Sequence, residues 1–141
     1  MRRFCFPVIM KQNNRDYFDR QVEWVLDRLP QEILRILKEV PLHVEDQPSE
    51  QMMLELNIAD PEDLCGYFCG VPYGEMGSLS TYAHLPNSVT IFRRGIAATA
   101  RDTQGTLCRR KLRREIRITI LHELAHLHGM DEEEIANIGY G

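Results

Sequence analysis

From Asp16 to Leu29 the apolar residues Tyr17, Phe18, Val22, Val25, Leu26 and Leu29 recur at helical spacing, which predicts an amphipathic helix. Pro30 interrupts the pattern. Proline suits the first turn of a helix, so a second short helix is predicted over Gln31–Lys38, with Ile33, Leu34 and Leu37 inward. Pro41 ends it, and Leu42–Glu45 alternates like a strand. Gln47–Pro61 is polar, with a weak helical run at Met52–Leu56. GYFCGVPY, Gly66–Tyr73, reads as a strand with a Gly/Pro end. Gly74–Asn87 reads as a long connection. SVTIFR, Ser88–Arg93, carries the clearest strand pattern, with β-branched and aromatic residues alternating against polar ones. A helical piece follows at Gly95–Ala100, then a turn at Asp102–Gly105. A long helix fits Thr106–His128, with Leu112, Ile116, Ile120, Leu124 and Leu127 near one stripe and Gly129 as its stop. Asp131 with Glu134 fits an N-cap followed by an acid, which predicts a last short helix over Glu132–Ile138.

The chain has 141 residues, which predicts a single domain over 1–141. Its 43% hydrophobic and 27% charged residues are those of an ordinary globular protein. A net charge of −4 argues against nucleic acid as an obligatory partner. No apolar run approaches the ~18 residues of a membrane span. The basic start, MRRFCFPVIMKQNNR, lacks a small-residue cleavage site and reads as mature protein. Cys5, Cys65, Cys69 and Cys108 form no CxxC pair and read as reduced, small buried residues, which places the expected compartment in the cytoplasm.

The chemistry concentrates in HELAHLHGMDE, His122–Glu132. On a helix, residues four apart differ by about 40° in rotation and ~6 Å in rise, so His122 and His126 can converge on one ion. Glu123 lies about 100° round from His122. From there it can reach a water held by that ion, the position of a general base. A catalytic zinc usually takes three protein ligands. Along a continuous helix Glu132 would stand about 15 Å from His122 and could not reach. Gly129 can adopt the left-handed conformation, end the helix and return the chain. Glu132 then falls at the third-ligand spacing of HExxHxxGxxH, with a carboxylate in place of histidine. Asp131 is the alternative acid, better explained as the N-cap of the last helix. His128 lies about 200° from His126, off the metal face. Zinc is the default ion, although the donor set accepts other divalent metals.

Weaker features surround this core. CRRKLRREIR sets Arg109, Arg110, Arg113, Arg114 and Arg117 along one helical face, either a solvated surface or an anion patch beside the metal. Glu115 is a candidate partner for a ligand histidine, or a surface ion-pair residue. Tyr73, Tyr82, His84 and Tyr140 are candidate donors to a developing oxyanion, and spacing does not choose among them. A substrate peptide could add as a strand beside Ser88–Arg93 if that strand lies at a sheet edge.

HELAHLHGMDEEEIANIGY resembles the small bacterial zincin-like metallopeptidase family, with its HExxHxxGxx(D/E) pattern near the C-terminus. RLPQEILRILKEVPLHVED, LCGYFCGVP and LPNSVTIFRRGI resemble earlier segments of that family in the same order, from about Phe18 to Tyr140. The resemblance implies an α+β class and a reduced zincin-like fold, a small mixed sheet packed on the metal-binding helix. It also implies a zinc site at His122, His126 and Glu132 with Glu123 as base, and a peptide or protein substrate. The chain departs from the family in Leu127-His128 after the second histidine, where His-Phe or His-Tyr is frequent, and in Glu132, where Asp is common. The same stretch is similar to HGxLHLxGxDH of the bacterial endoribonucleases of ribosomal-RNA maturation, matching at His122, His126, Leu127, Gly129 and Asp131. That family has Gly at the position of Glu123 and His at that of Glu132. Two alternatives to a peptidase therefore stand: a metal-dependent endoribonuclease, and a zinc-binding module without turnover.

Overall fold

A computed structural model describes residues 12–70 and 87–137. Among these, six helices surround a three-stranded mixed sheet. The helices are α1 (Gln12–Leu26), α2 (Gln31–Glu39), α3 (Glu50–Glu55), α4 (Arg93–Thr99), α5 (Arg109–Leu127) and α6 (Glu132–Asn137). The strands are β1 (Leu42–Glu45), β2 (Gly66–Cys69) and β3 (Ser88–Phe92), in spatial order β1-β3-β2. β1 runs parallel to β3, with Val44 opposite Ile91, and β2 runs antiparallel, with Tyr67 opposite Thr90.

The stripe on α5 organises the core. Leu112, Ile116, Ile120, Leu124 and Leu127 are all buried, as are Val89, Ile91 and Phe92 of β3. Each such side chain contributes roughly 1.5–3 kcal/mol by leaving water. α5 contacts α1, α4, β2 and β3, so it is the spine of the molecule. From α1, Phe18, Val22 and Val25 enter the same cluster, and Leu29 follows in the turn after it. Ile33, Leu34 and Leu37 of α2 pack against the cluster from outside and stay half-buried.

Several boundaries differ from the sequence expectation. α5 starts at Arg109, not Thr106, because the preceding residues pair elsewhere: Arg101 bridges Leu107, and Cys108 N donates to Ala100 O at 3.1 Å. α4 starts at Arg93, two residues before Gly95, immediately where β3 ends. α3 begins earlier than Met52, because Ser49 caps it by accepting from Met52 N. β2 stops at Cys69; residues 71–73 of the expected strand and 74–86 of the expected connection lie outside the described residues. The larger correction concerns β3. It is the central strand, paired on both sides, so no peptide can add beside Ser88–Arg93. No helix among the described residues is long and apolar enough to cross a membrane.

Candidate metal centre

The C-terminal end of α5 builds the site. His122 and His126, one turn apart, stand with ring centroids 5.0 Å from each other and planes at 72°. After Leu127 the helix closes in a Schellman arrangement. Gly129 N donates to His126 O at 2.9 Å and Met130 N to Ala125 O at 3.2 Å. Gly129 has φ +82°, the left-handed region that an L side chain resists. The chain reverses there. Met130 O then lies 3.1 Å from His126 Nδ1. A carbonyl can only accept, so this contact assigns the proton to Nδ1 and leaves the Nε2 lone pair for a ligand.

Asp131 and Glu134 form the expected capping box. Glu134 N donates to Asp131 Oδ1 at 2.9 Å, and Asp131 N donates to Glu134 Oε2 at 2.8 Å. Asp131 is thereby engaged as a cap. Glu132, the first residue of α6, points back at the histidines. Its Oε1 lies 2.9 Å from His126 Nε2 and its Oε2 lies 3.3 Å from His122 Nε2. Ligand atoms of His122, His126 and Glu132 lie within 4.8 Å of one another. Two ligands bound at ~2.1 Å to a tetrahedral zinc stand ~3.4 Å apart, so the donor set has the right chemistry and nearly the right spacing.

Glu123 is buried at 8% exposure, unlike the ligand-bearing face beside it. Its burial follows from β2. Gly66 packs so closely on α5 that a Cβ there would lie 2.7 Å from Thr119 Cγ2 and 3.1 Å from Glu123 Cγ. The Phe68 backbone N–H donates to the Glu123 carboxylate. Burial pushes the Glu123 carboxyl above its ordinary value; His122 and His126 act against this, Glu132 adds to it, and the Phe68 N–H opposes it. The strand's alternation explains why Phe68 is available. Phe92 N donates to Cys65 O at 2.8 Å, so Cys65, Tyr67 and Cys69 face β3, whereas the backbone groups of Gly66 and Phe68 face outward. Among the described residues, β2 is therefore the sheet edge that borders the site. A cavity of about 590 Å³ follows it, lined on its apolar side by Leu56, Ile58, Leu64 and Met130.

His128 is exposed and off the cluster, as helical rotation predicts. Glu115 acts elsewhere: its carboxylate adds to the rise of the Cys65 thiol, which is half-buried and not fully buried as expected. Tyr73, Tyr82, His84 and Tyr140 lie outside the described residues. The arginine face is not beside the metal site. Arg113 and His122 are nine residues apart on one helix, about 180° in rotation. The contributions of Gly66, Phe68 N–H and Met130 O were not read from the sequence; a glycine opening a strand, GYFCG, was the one available sign of close backbone approach.

A small mixed sheet lying on a helix that carries His122, Glu123 and His126, with an edge strand along the cleft, defines a reduced zincin-like α+β protein. The model of the zincin-like metallopeptidase family matches residues 37–141, and the chain belongs to that family. No curated protein matches the chain.

Proposed function

We propose that the protein is a zinc-dependent peptidase in which His122, His126 and Glu132 hold the ion and Glu123 is the general base. The observation that carries this reading is the convergence of two Nε2 atoms and one carboxylate within 4.8 Å, beside a buried glutamate. Zinc in such a shell supplies Lewis acidity, making water acidic and polarising a carbonyl. The protein's own groups do the rest. Glu123 accepts the proton of the attacking water and passes it to the leaving amine. Phe68 N–H fixes the Glu123 carboxylate in position. The outward edge of β2 takes the substrate as an added strand, and Leu56, Ile58 and Leu64 receive an apolar side chain.

The nuclease alternative loses its main support, because the arginines that would hold RNA line a different cavity from the cluster. The test is cleavage of casein and of a structured RNA by the zinc-loaded protein and by Glu123→Ala. Casein cleavage is expected, lowered roughly 10²–10⁴-fold in Glu123→Ala. RNA cleavage without casein cleavage would establish the endoribonuclease. A zinc-loaded protein inactive on both would be a binding module.

A further inference from the structure

In the N-terminal half of α5, away from the metal centre at its other end, Arg109, Arg110, Arg113, Arg114 and Arg117 meet Arg28 from the turn after α1. With Trp24 and Val25 they line a second cavity, of about 330 Å³. The Arg28 guanidinium carbon lies 3.8 Å from the Trp24 ring centroid, and that of Arg113 lies 3.9 Å from it. Neither rests on a carboxylate. Arg28 Nη1 donates to Trp24 O at 3.0 Å, and Arg113 Nε donates to Gln21 Oε1 at 2.8 Å. Three arginines elsewhere meet carboxylates: Arg15 meets Asp46 at 2.6 Å, Arg93 meets Asp19 at 3.0 Å and Arg94 meets Glu62 at 3.5 Å. Among the described residues, no ion pair joins a carboxylate to any of the six arginines of this cavity. Among the described residues, a chain of net charge −4 thus gathers six arginines without a carboxylate partner at one concave place. Such crowding opposes folding through self-repulsion unless an anion relieves it.

The chemistry of the cavity narrows the anion. Guanidinium groups present a planar fork that matches carboxylate and phosphate oxygens. Single-stranded nucleic acid is held largely by stacking on open aromatic faces. Trp24 offers none, because guanidinium groups stand over it. The arginines of α5 extend over about 12 Å of helix. That is roughly four residues of extended polypeptide at ~3.3 Å each. The geometry points to a docking site for a short acidic segment of a polypeptide, one that binds without touching the groups at the other end of α5.

The test is fluorescence anisotropy with labelled decaglutamate, on the wild type, Glu123→Ala and Arg110→Glu/Arg114→Glu. Both reversed arginines are exposed, so the double variant keeps the core intact. Decaglutamate is expected to bind the wild type and Glu123→Ala alike, more weakly as salt rises. The double variant should bind at least about tenfold more weakly at an unchanged unfolding midpoint. A labelled single-stranded RNA of equal length should bind less tightly than the peptide. Absence of decaglutamate binding, or equal binding by the double variant, overturns the proposal. Tighter binding of the RNA overturns it in favour of a nucleic-acid surface.

Discussion

At the scale of the residue, Gly66 does more than its size suggests. It lets β2 approach α5 until its missing Cβ would sit 2.7 Å from Thr119 Cγ2. Gly66→Ala should therefore destabilise the fold by about 1–3 kcal/mol, read as a lower urea midpoint. Thr119→Ser in the same chain should recover part of that loss by removing Cγ2. An unchanged midpoint in the single variant would mean that the strand and helix separate at little cost. Cys65, just before β2, is half-buried. Burial, then Glu115 and Glu123, push its thiol up to about 11, while Cys69 is exposed. Only the thiolate reacts. Iodoacetamide at pH 8 should modify Cys69 well before Cys65, followed by peptide mass mapping. The unfolded thiol ionises near 9.0 and the folded one near 11, so the Cys65 contribution to stability falls as pH rises through that window.

At the scale of the element, the Schellman close of α5 and the capping box of α6 together aim Glu132. Gly129 has open space around its missing Cβ, so its requirement is conformational alone. Gly129→Ala should cost about 1–2 kcal/mol of backbone strain and weaken zinc binding, although no ligand is removed. Equilibrium competition with a chromogenic chelator reads this, and wild-type zinc affinity in Gly129→Ala would contradict it. These local devices were readable in advance. Gly129, Asp131 and Glu134 are short-range signals, and the apolar stripe of α5 has a period that only a helix satisfies. Strand order was not readable. SVTIFR alternates as a half-buried edge strand would, yet β3 lies in the centre because its partners come from residues 42–45 and 66–69, and period carries no information about pairing. For the same reason the contact between Phe68 N–H and Glu123, across 55 residues of sequence, could not be foreseen from either segment.

At the scale of the molecule, the sheet and helices are tied on the side away from the site by an ion network. Asp46, after β1, receives Arg15 of α1 at 2.6 Å and Arg93 of α4 at 2.9 Å, and Arg93 also holds Asp19. Asp46 is 20% exposed and Arg93 13%, so removing the carboxylate leaves partly buried charge less compensated. Asp46→Ala should lower stability by about 1–3 kcal/mol in urea unfolding, without changing zinc content. A loss of zinc in that variant would show that the two ends of the fold are coupled. The donor cluster joins α5 to α6 across the turn, so a bound ion should also stabilise the whole chain. The most direct measurement is metal analysis of purified protein beside Glu132→Ala and Glu123→Ala. One zinc per chain is expected in the wild type and in Glu123→Ala, with clearly less in Glu132→Ala. Full zinc occupancy in Glu132→Ala would contradict the assignment of that carboxylate to the metal shell.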